Sequence, residues 1–296
     1  MTDATILIPT FRHAALLPYA LRSALDQDGA DIEVFVVGDG VEDDTRAALE
    51  PYLADPRVRF FDLPKGARHG EAHRHEALQQ ASGRIVTYLS DDDLLLRDHV
   101  EQMLRLLEDA DFAHSAPFVV ARDGSLLFHP IDVAWPDFQA LLLRGSWNAI
   151  VLTGAAHTLE AYRRLPHGWR PAPPDVWTDL YMWRQFLALR GFSGRTGTRI
   201  THLHFPDQYR RDLSVAERIV EIESWWSRMQ RPSFADELAR DAGVVVLQKA
   251  VALEARVHEL KGVLRETQST RWWRLRTRLA TSWPLRALLS RRREAR

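Results

Sequence analysis

The chain has 296 residues, 46% of them hydrophobic and 27% charged, with a formal net charge of −1; that suffices for one large α/β domain with an appendage or two modest domains, and gives no overall pull toward nucleic acid. With no cysteine, disulfides and thiolate metal sites are excluded, which suits the cytosol. Met1-Thr2-Asp3-Ala4-Thr5 lacks the basic-then-apolar pattern of a signal peptide and no apolar run reaches the ~18 residues of a membrane span, so the expectation is a cytoplasmic chain whose membrane contact is at most peripheral.

Thr5-Ile6-Leu7-Ile8, ended by Pro9, reads as a buried strand. Leu16, Leu17, Ala20, Leu21, Ala24 and Leu25 then recur at helical spacing, and a second strand over 33–37 is stopped by Gly38-Asp39-Gly40. A helix through Ala47, Ala48 and Leu49, a strand over 58–61, a helix over 72–81 and a strand over 84–89 follow. This alternation predicts βαβ units in a doubly wound, mostly parallel, Rossmann-like sheet, whose ligands lie at the carboxyl ends of the strands. Further on, the pattern predicts two strands within 113–128 around Asp123-Gly124, a helix over 138–143, a strand over 149–152 and a helix over 159–165. A loop rich in proline (Pro166, Pro171, Pro173, Pro174) leads to a helix over 178–190 and a strand over 199–205. Val246, Ala250, Leu253, Val257, Leu260 and Leu264 fall on steps of four and three; such a seam suits either self-association as a short coiled coil or a helix packed on its own domain. From Glu266 onward nine Arg stand against two Glu, and Arg271-Trp272-Trp273-Arg274-Leu275-Arg276 mixes arginine with indole, a pattern that fits an anionic membrane surface or a solvated basic tail.

Asp91-Asp92-Asp93 directly follows the fourth apolar strand. Adjacent carboxylates repel one another and lose hydration there, and a hard divalent cation, Mg²⁺ or Mn²⁺, cancels both costs while leaving positions for phosphate oxygens. A helix N-terminus is the alternative use of such acids. Asp39, at the end of the second strand, suits a base N–H or ribose hydroxyl, or simply an Asp-Gly turn. Pro9, Thr10, Phe11 and Arg12 follow the first strand and can close over the same nucleotide; Arg74 can supply positive charge to a diphosphate. His202 and His204, two apart on a predicted strand, are candidates for the metal shell or the diphosphate, or are ordinary strand histidines.

Ile8-Pro9-Thr10-Phe11-Arg12, Val36-Val37-Gly38-Asp39-Gly40-Val41-Glu42-Asp43-Asp44-Thr45, Arg74 with Ala81-Ser82-Gly83, and Tyr88-Leu89-Ser90-Asp91-Asp92-Asp93 together resemble, in order and spacing, the first hundred or so residues of family 2 glycosyltransferases. The resemblance implies a GT-A fold and an inverting transfer of sugar from a nucleotide diphosphate donor to a saccharide or other hydroxyl acceptor, in cell-surface or extracellular polysaccharide or glycoconjugate synthesis. It places Asp39 at the base-binding position, with Pro9, Thr10, Phe11, Arg12, Arg74 and Asp91 around the donor. It also places the aspartate triplet at a Mn²⁺ or Mg²⁺ ion, with Asp92 and Asp93 the favoured ligands and which two of the three ligate left open; His204, from the strand-histidine reading, is the candidate to complete that shell. Thr178-Asp179-Leu180-Tyr181-Met182-Trp183-Arg184 resembles the segment carrying the catalytic base, which puts Asp179 in that role; the alternative is a helix start, with Thr178 as its cap. The sequence departs from the family pattern at Gly38, Ser90 and His75. The implied organisation is a transferase domain over 1–210 (nucleotide-sugar half 1–100, acceptor half 101–210), a helical extension over 211–268 and a basic tail over 269–296. Trp169 and Trp177 in the proline-rich loop can stack an acceptor sugar or pack internally. A sugar-phosphate nucleotidyltransferase would need a glycine-rich loop after the first strand, where this chain has Pro9-Thr10-Phe11-Arg12-His13. A catalytically degenerate scaffold in a membrane-associated assembly is the non-enzymatic alternative.

Overall fold

The computed structural model describes residues 2–270 and residue 273. In chain order, β1 (Ala4–Thr10), α1 (Leu17–Leu25), β2 (Ile32–Asp39), α2 (Asp43–Leu49), β3 (Val58–Leu63), α3 (Glu71–Leu78) and β4 (Ile85–Tyr88) alternate as the periodicity predicts. They are followed by β5 (Leu94–Leu95), α4 (His99–Leu106), β6 (Phe112–His114), β7 (Phe118–Val120), β8 (Leu126–Phe128), α5 (Pro136–Arg144) and β9 (Ala155–Thr158). Then come α6 (Leu159–Arg163), α7 (Thr178–Leu187), β10 (Gly194–Thr196), β11 (His202–Leu203), α8 (Val215–Met229) and α9 (Phe234–Ser269).

The main sheet has seven strands in the order β10-β6-β9-β4-β1-β2-β3. All pairs are parallel except those of β9, which runs antiparallel to both β4 and β6. Its central strands are apolar on both faces, because helices cover both. Leu7, Phe35, Val37, Val86 and Tyr88 enter one core, shared with Trp169, Trp183 and Phe186. The alternate residues Ile6, Ile8, Val34, Val36 and Ile85 enter the other, against Leu17, Leu21, Val100 and Met103. The chain order reverses at β1, with β2 on one side and β4 on the other, so a crevice opens at the carboxyl ends of these strands.

Two local expectations are corrected. Residues 149–152 form no strand; Ile150 is buried and its carbonyl accepts from Trp183 Nε1 at 2.9 Å, so the apolar run packs irregularly and the antiparallel strand lies a few residues later as β9. The strand over 199–205 shrinks to β11, which pairs with β5 rather than the main sheet. The two strands expected within 113–128 around Asp123-Gly124 are present as the hairpin β7–β8, while β6 belongs to the main sheet.

The chain divides into two compact units, the first ending at Gly243 and the second beginning at Val244. The first contains α8. In the second, the heptad residues Val246, Leu253, Val257, Leu260 and Leu264 of α9 are between 40% and 51% exposed. The basic tail lies outside the described residues apart from 269, 270 and 273. No helix among the described residues is long and apolar enough to cross a membrane.

Candidate active site

Asp39 closes β2 and is nearly buried. Its Oδ2 accepts from Lys65 Nζ at 2.6 Å and its Oδ1 from the Gly66 amide at 2.6 Å, with His73 Nε2 3.6 Å away. The loop can close this tightly because Gly70 has a φ of 69°, and a Cβ there would sit 2.7 Å from Asp39 Cγ. The Phe11 ring has two cations near it, Arg12 Cζ at 4.6 Å and Lys65 Nζ at 5.2 Å from its centroid. Pro9 and Thr10 pair in register with Val37 and Gly38, and the buried Thr10 hydroxyl has no partner.

Arg74 rises from α3 with a buried guanidinium. Nη2 donates to the His69 carbonyl at 3.0 Å, whereas Nε and Nη1 have no partner. Its Cζ lies 4.8 Å from the centroid of the Trp169 ring, whose Nε1 donates to Tyr88 Oη at 2.9 Å; Tyr88 in turn bonds His157 Nε2 at 2.7 Å. Trp169 is 1% exposed and Trp177 64%, so of the two indoles only Trp177 is free to stack a sugar, and Trp169 is the floor beneath Arg74. Burial lowers the Arg74 pKa, opposed by the negative charges of Asp179, Glu71 and Asp39. The guanidinium is thus placed in the field of both Asp39 and Asp179.

Asp179 stands in the first turn of α7, which has no side-chain cap. Thr178 does not cap the helix: its hydroxyl donates to Glu71 Oε1 at 3.0 Å, so the fully buried Glu71 ties α3 to the start of α7. The Asp179 carboxylate is half-buried. Burial raises its pKa, countered chiefly by Arg74 and also by His204 and His69. No hydrogen bond ties it among the described residues. A carboxylate so placed is poised to accept a proton.

The three aspartates after β4 divide the work. Asp91 Oδ1 meets His13 Nδ1 at 2.8 Å, and that hydrogen bond pushes the His13 pKa up to about 9. Asp92 is pushed up to about 7 by burial and by the charges of Asp93 and Asp91. Asp93 is wholly buried: Oδ2 accepts from Thr153 Oγ1 at 2.5 Å and faces His204 Nδ1 at 2.7 Å, while Oδ1 accepts from the Phe205 amide at 2.7 Å. Burial alone would raise Asp93, but His204 and these bonds outweigh it and hold the carboxyl below its ordinary range. His204 is raised, its burial outweighed by Asp93. His202, by contrast, is buried against Ser115 Oγ at 2.5 Å and far below its ordinary pKa. One ligand atom each from His13, Asp92 and Asp207 lies within 4.8 Å of the others, a donor set of carboxylate oxygens and one nitrogen that suits a hard divalent cation.

Several residues here escape the sequence patterns. Lys65 follows the carboxyl end of β3, so the strand-end rule had the means to find it, and His13 adjoins the Pro9–Arg12 loop. Glu71, Thr153, Asp207 and Arg218, which donates to Asp92 at 2.5 Å, carry no local signal.

Residues 5–164 match the model of the family described as glycosyl transferase family 2. Over 203 residues the chain is 32% identical to the GalNAc(5)-diNAcBac-PP-undecaprenol beta-1,3-glucosyltransferase of Campylobacter jejuni, covering 65% of this chain and 64% of that protein. It is 35% identical over 127 residues to the succinoglycan biosynthesis protein ExoO of Rhizobium meliloti, covering 42% and 36%. The matches therefore span less than two thirds of either relative. S. aureus TarS 1-349 in complex with UDP-GlcNAc shares the fold, with a TM-score of 0.54 at 14% identity over 77% of this chain and 72% of that one. The motif order, the doubly wound sheet and the family match agree: the chain belongs to glycosyl transferase family 2.

Proposed function

We propose that the chain transfers a sugar from a nucleoside diphosphate donor to a hydroxyl of a saccharide acceptor by a single inverting displacement. The observation that carries this is Arg74, a buried guanidinium with two unpartnered nitrogens in the combined field of Asp39 and Asp179. A buried cation with spare N–H groups is costly unless an anion uses them, and a donor diphosphate is an anion that fits between a base-binding and a proton-accepting carboxylate. Asp39, neutralised by Lys65, retains lone pairs for a base N–H or ribose hydroxyl, and Phe11 and Arg12 flank it. Asp179 takes the proton from the acceptor hydroxyl, and Trp177 stacks the acceptor sugar. Asp92 would hold Mn²⁺ or Mg²⁺, with Asp207 and His13 beside it; Asp93 orients His204, whose Nε2 is left for a ligand. A cation there supplies neutralising charge for the departing diphosphate.

The Campylobacter relative's name supports a lipid-linked saccharide acceptor, and with the Rhizobium relative it supports a place in envelope polysaccharide or glycoconjugate synthesis. The exposed heptad face of α9 supports helix-mediated self-association, and the Arg/Trp tail a peripheral membrane contact. The scaffold alternative is not favoured by the Arg74–Asp179 arrangement. The test is incubation with UDP- and GDP-sugars, Mn²⁺ and polyprenyl-linked oligosaccharides, following released nucleoside diphosphate. Metal-dependent release from one donor is expected; donor binding without release across the acceptor series would contradict it.

A further inference from the structure

Arg218 sits in the first turn of α8, just after the Ser214–Glu217 capping box. It reaches back 126 positions along the chain: Nη2 donates to Asp92 Oδ2 at 2.5 Å. Nη1 lies 3.3 Å from His13 Nε2 and 3.5 Å from Asp207 Oδ1. These are the three residues whose ligand atoms cluster within 4.8 Å. The guanidinium and a divalent cation therefore draw on the same carboxylate oxygens.

A second arginine shows what a structural ion pair looks like in this protein. The Arg210 side chain is wholly buried and bidentate to Glu221 at 2.7 Å for both bonds. It also donates to the Val120 and Pro206 carbonyls, and its Cζ lies 5.1 Å from the Phe205 ring centroid. Every arm of that fork is spent. Arg218 spends one arm on Asp92 and holds two long contacts with the other. Because Arg210 and the buried Ile222 and Trp225 also anchor α8, the seat of the helix does not rest on Arg218 alone.

We infer that Arg218 is an exchangeable counter-charge: it yields Asp92 to a divalent cation and turns its fork to the oxygens of the donor diphosphate. Two cations on one carboxylate oxygen repel each other, and a diphosphate beside the cation offers oxygens matched to the guanidinium fork. Arg218 thus becomes a donor-binding residue recruited from outside the family-matched segment, which ends at residue 164. This rests on the transferase reading above.

The test compares wild type with Arg218→Gln by two titrations: Mn²⁺ alone, read by electron paramagnetic resonance of the free ion, and UDP or GDP at saturating Mn²⁺, read by calorimetry. The two affinities should move in opposite directions. Arg218→Gln binds Mn²⁺ several-fold more tightly, because its competitor is gone, and the nucleoside diphosphate about tenfold or more weakly, as for the loss of a charge-assisted hydrogen bond. A merely structural arginine would lower both affinities together with the melting temperature, and that result overturns the inference; so do unchanged affinities. Should Arg218→Gln not fold, Arg218→Lys keeps the charge without the fork: near-wild-type Mn²⁺ affinity with weakened diphosphate binding supports the inference, and wild-type diphosphate binding overturns it. Wild-type protein that binds neither nucleoside diphosphate would overturn the transferase reading itself, and this inference with it.

Discussion

Asp179→Asn preserves shape while removing the proton acceptor. Sugar transfer should fall by about 10²- to 10⁴-fold with calorimetric affinity for the donor unchanged; an unchanged rate would remove Asp179 from the mechanism. Burial raises the Asp179 pKa, and a base acts when deprotonated, so kcat/KM should rise with pH along an acid limb lying above the ordinary aspartate range. Arg74 opposes that rise, so Arg74→Gln should move the limb further toward neutral pH, which a pH–rate profile would show. Gly70→Ala probes the other carboxylate. The φ of 69° and a Cβ 2.7 Å from Asp39 Cγ should cost about 1–3 kcal/mol, measured as a lowered urea midpoint, with weakened nucleotide binding. Asp39 and the aspartate triplet could be nominated as candidates from the sequence because each stands at a strand end; Arg74 was nominated from its place on the helix before the fourth strand, and Asp179 from the family resemblance. Arg218 and Asp207 were not, since their meeting with Asp92 depends on how distant segments pack. Trp169 illustrates a different limit: an indole in a proline-rich loop gives no sign of whether it faces a ligand or floors an arginine.

At the scale of elements, the short strands and the helix after β4 bury histidines that the mechanism leaves idle. Burial holds His99 of α4 at about 3, His114 of β6 at about 4 and His157 of β9 at about 4, with His202 of β11 also far below its ordinary value. His99 bridges Thr87 and Thr201 hydroxyls at 2.9 and 2.8 Å, which joins β4 to the segment before β11. A histidine lowered on folding contributes stability that is complete above its unfolded pKa near 6.5 and lost as pH falls toward the folded value. Asp92, raised to about 7, and Asp179, also raised, work in the opposite sense but are two groups against four. Unfolding free energy should therefore drop between pH 6 and pH 4.5 by about 1.4 kcal/mol per pH unit for each net proton, seen as a falling urea midpoint; a flat or rising midpoint would contradict it. Element prediction succeeded where apolar residues repeat over a long stretch, as in β1, β2 and α1. It failed at 149–152, where an apolar tetrad with no partner strand packs irregularly under Trp183, and at β10, whose Gly194-Arg195-Thr196 has no apolar signature.

For the whole molecule, the doubly wound arrangement was readable from the alternation of strands and helices over the first hundred residues. The antiparallel insertion of β9 was not, because sheet order depends on long-range pairing that local patterns do not encode. The heptad seam of α9 was readable, and its side chains are exposed. Leu253→Lys with Leu260→Lys should therefore convert a self-associated chain to monomer in sedimentation, with little change in the melting of the first unit; a wild-type monomer at all concentrations would contradict pairing through this helix. Beneath these lies the proposed seat of the donor diphosphate at Arg74, in the field of Asp39 and Asp179. The direct measurement is calorimetric titration of UDP and GDP, in Mn²⁺, into wild type and a folded Arg74→Gln variant. A loss of about ten- to a hundred-fold in affinity for the preferred nucleotide is predicted, the worth of hydrogen bonds from a charged donor; equal affinity in the two proteins would contradict the account.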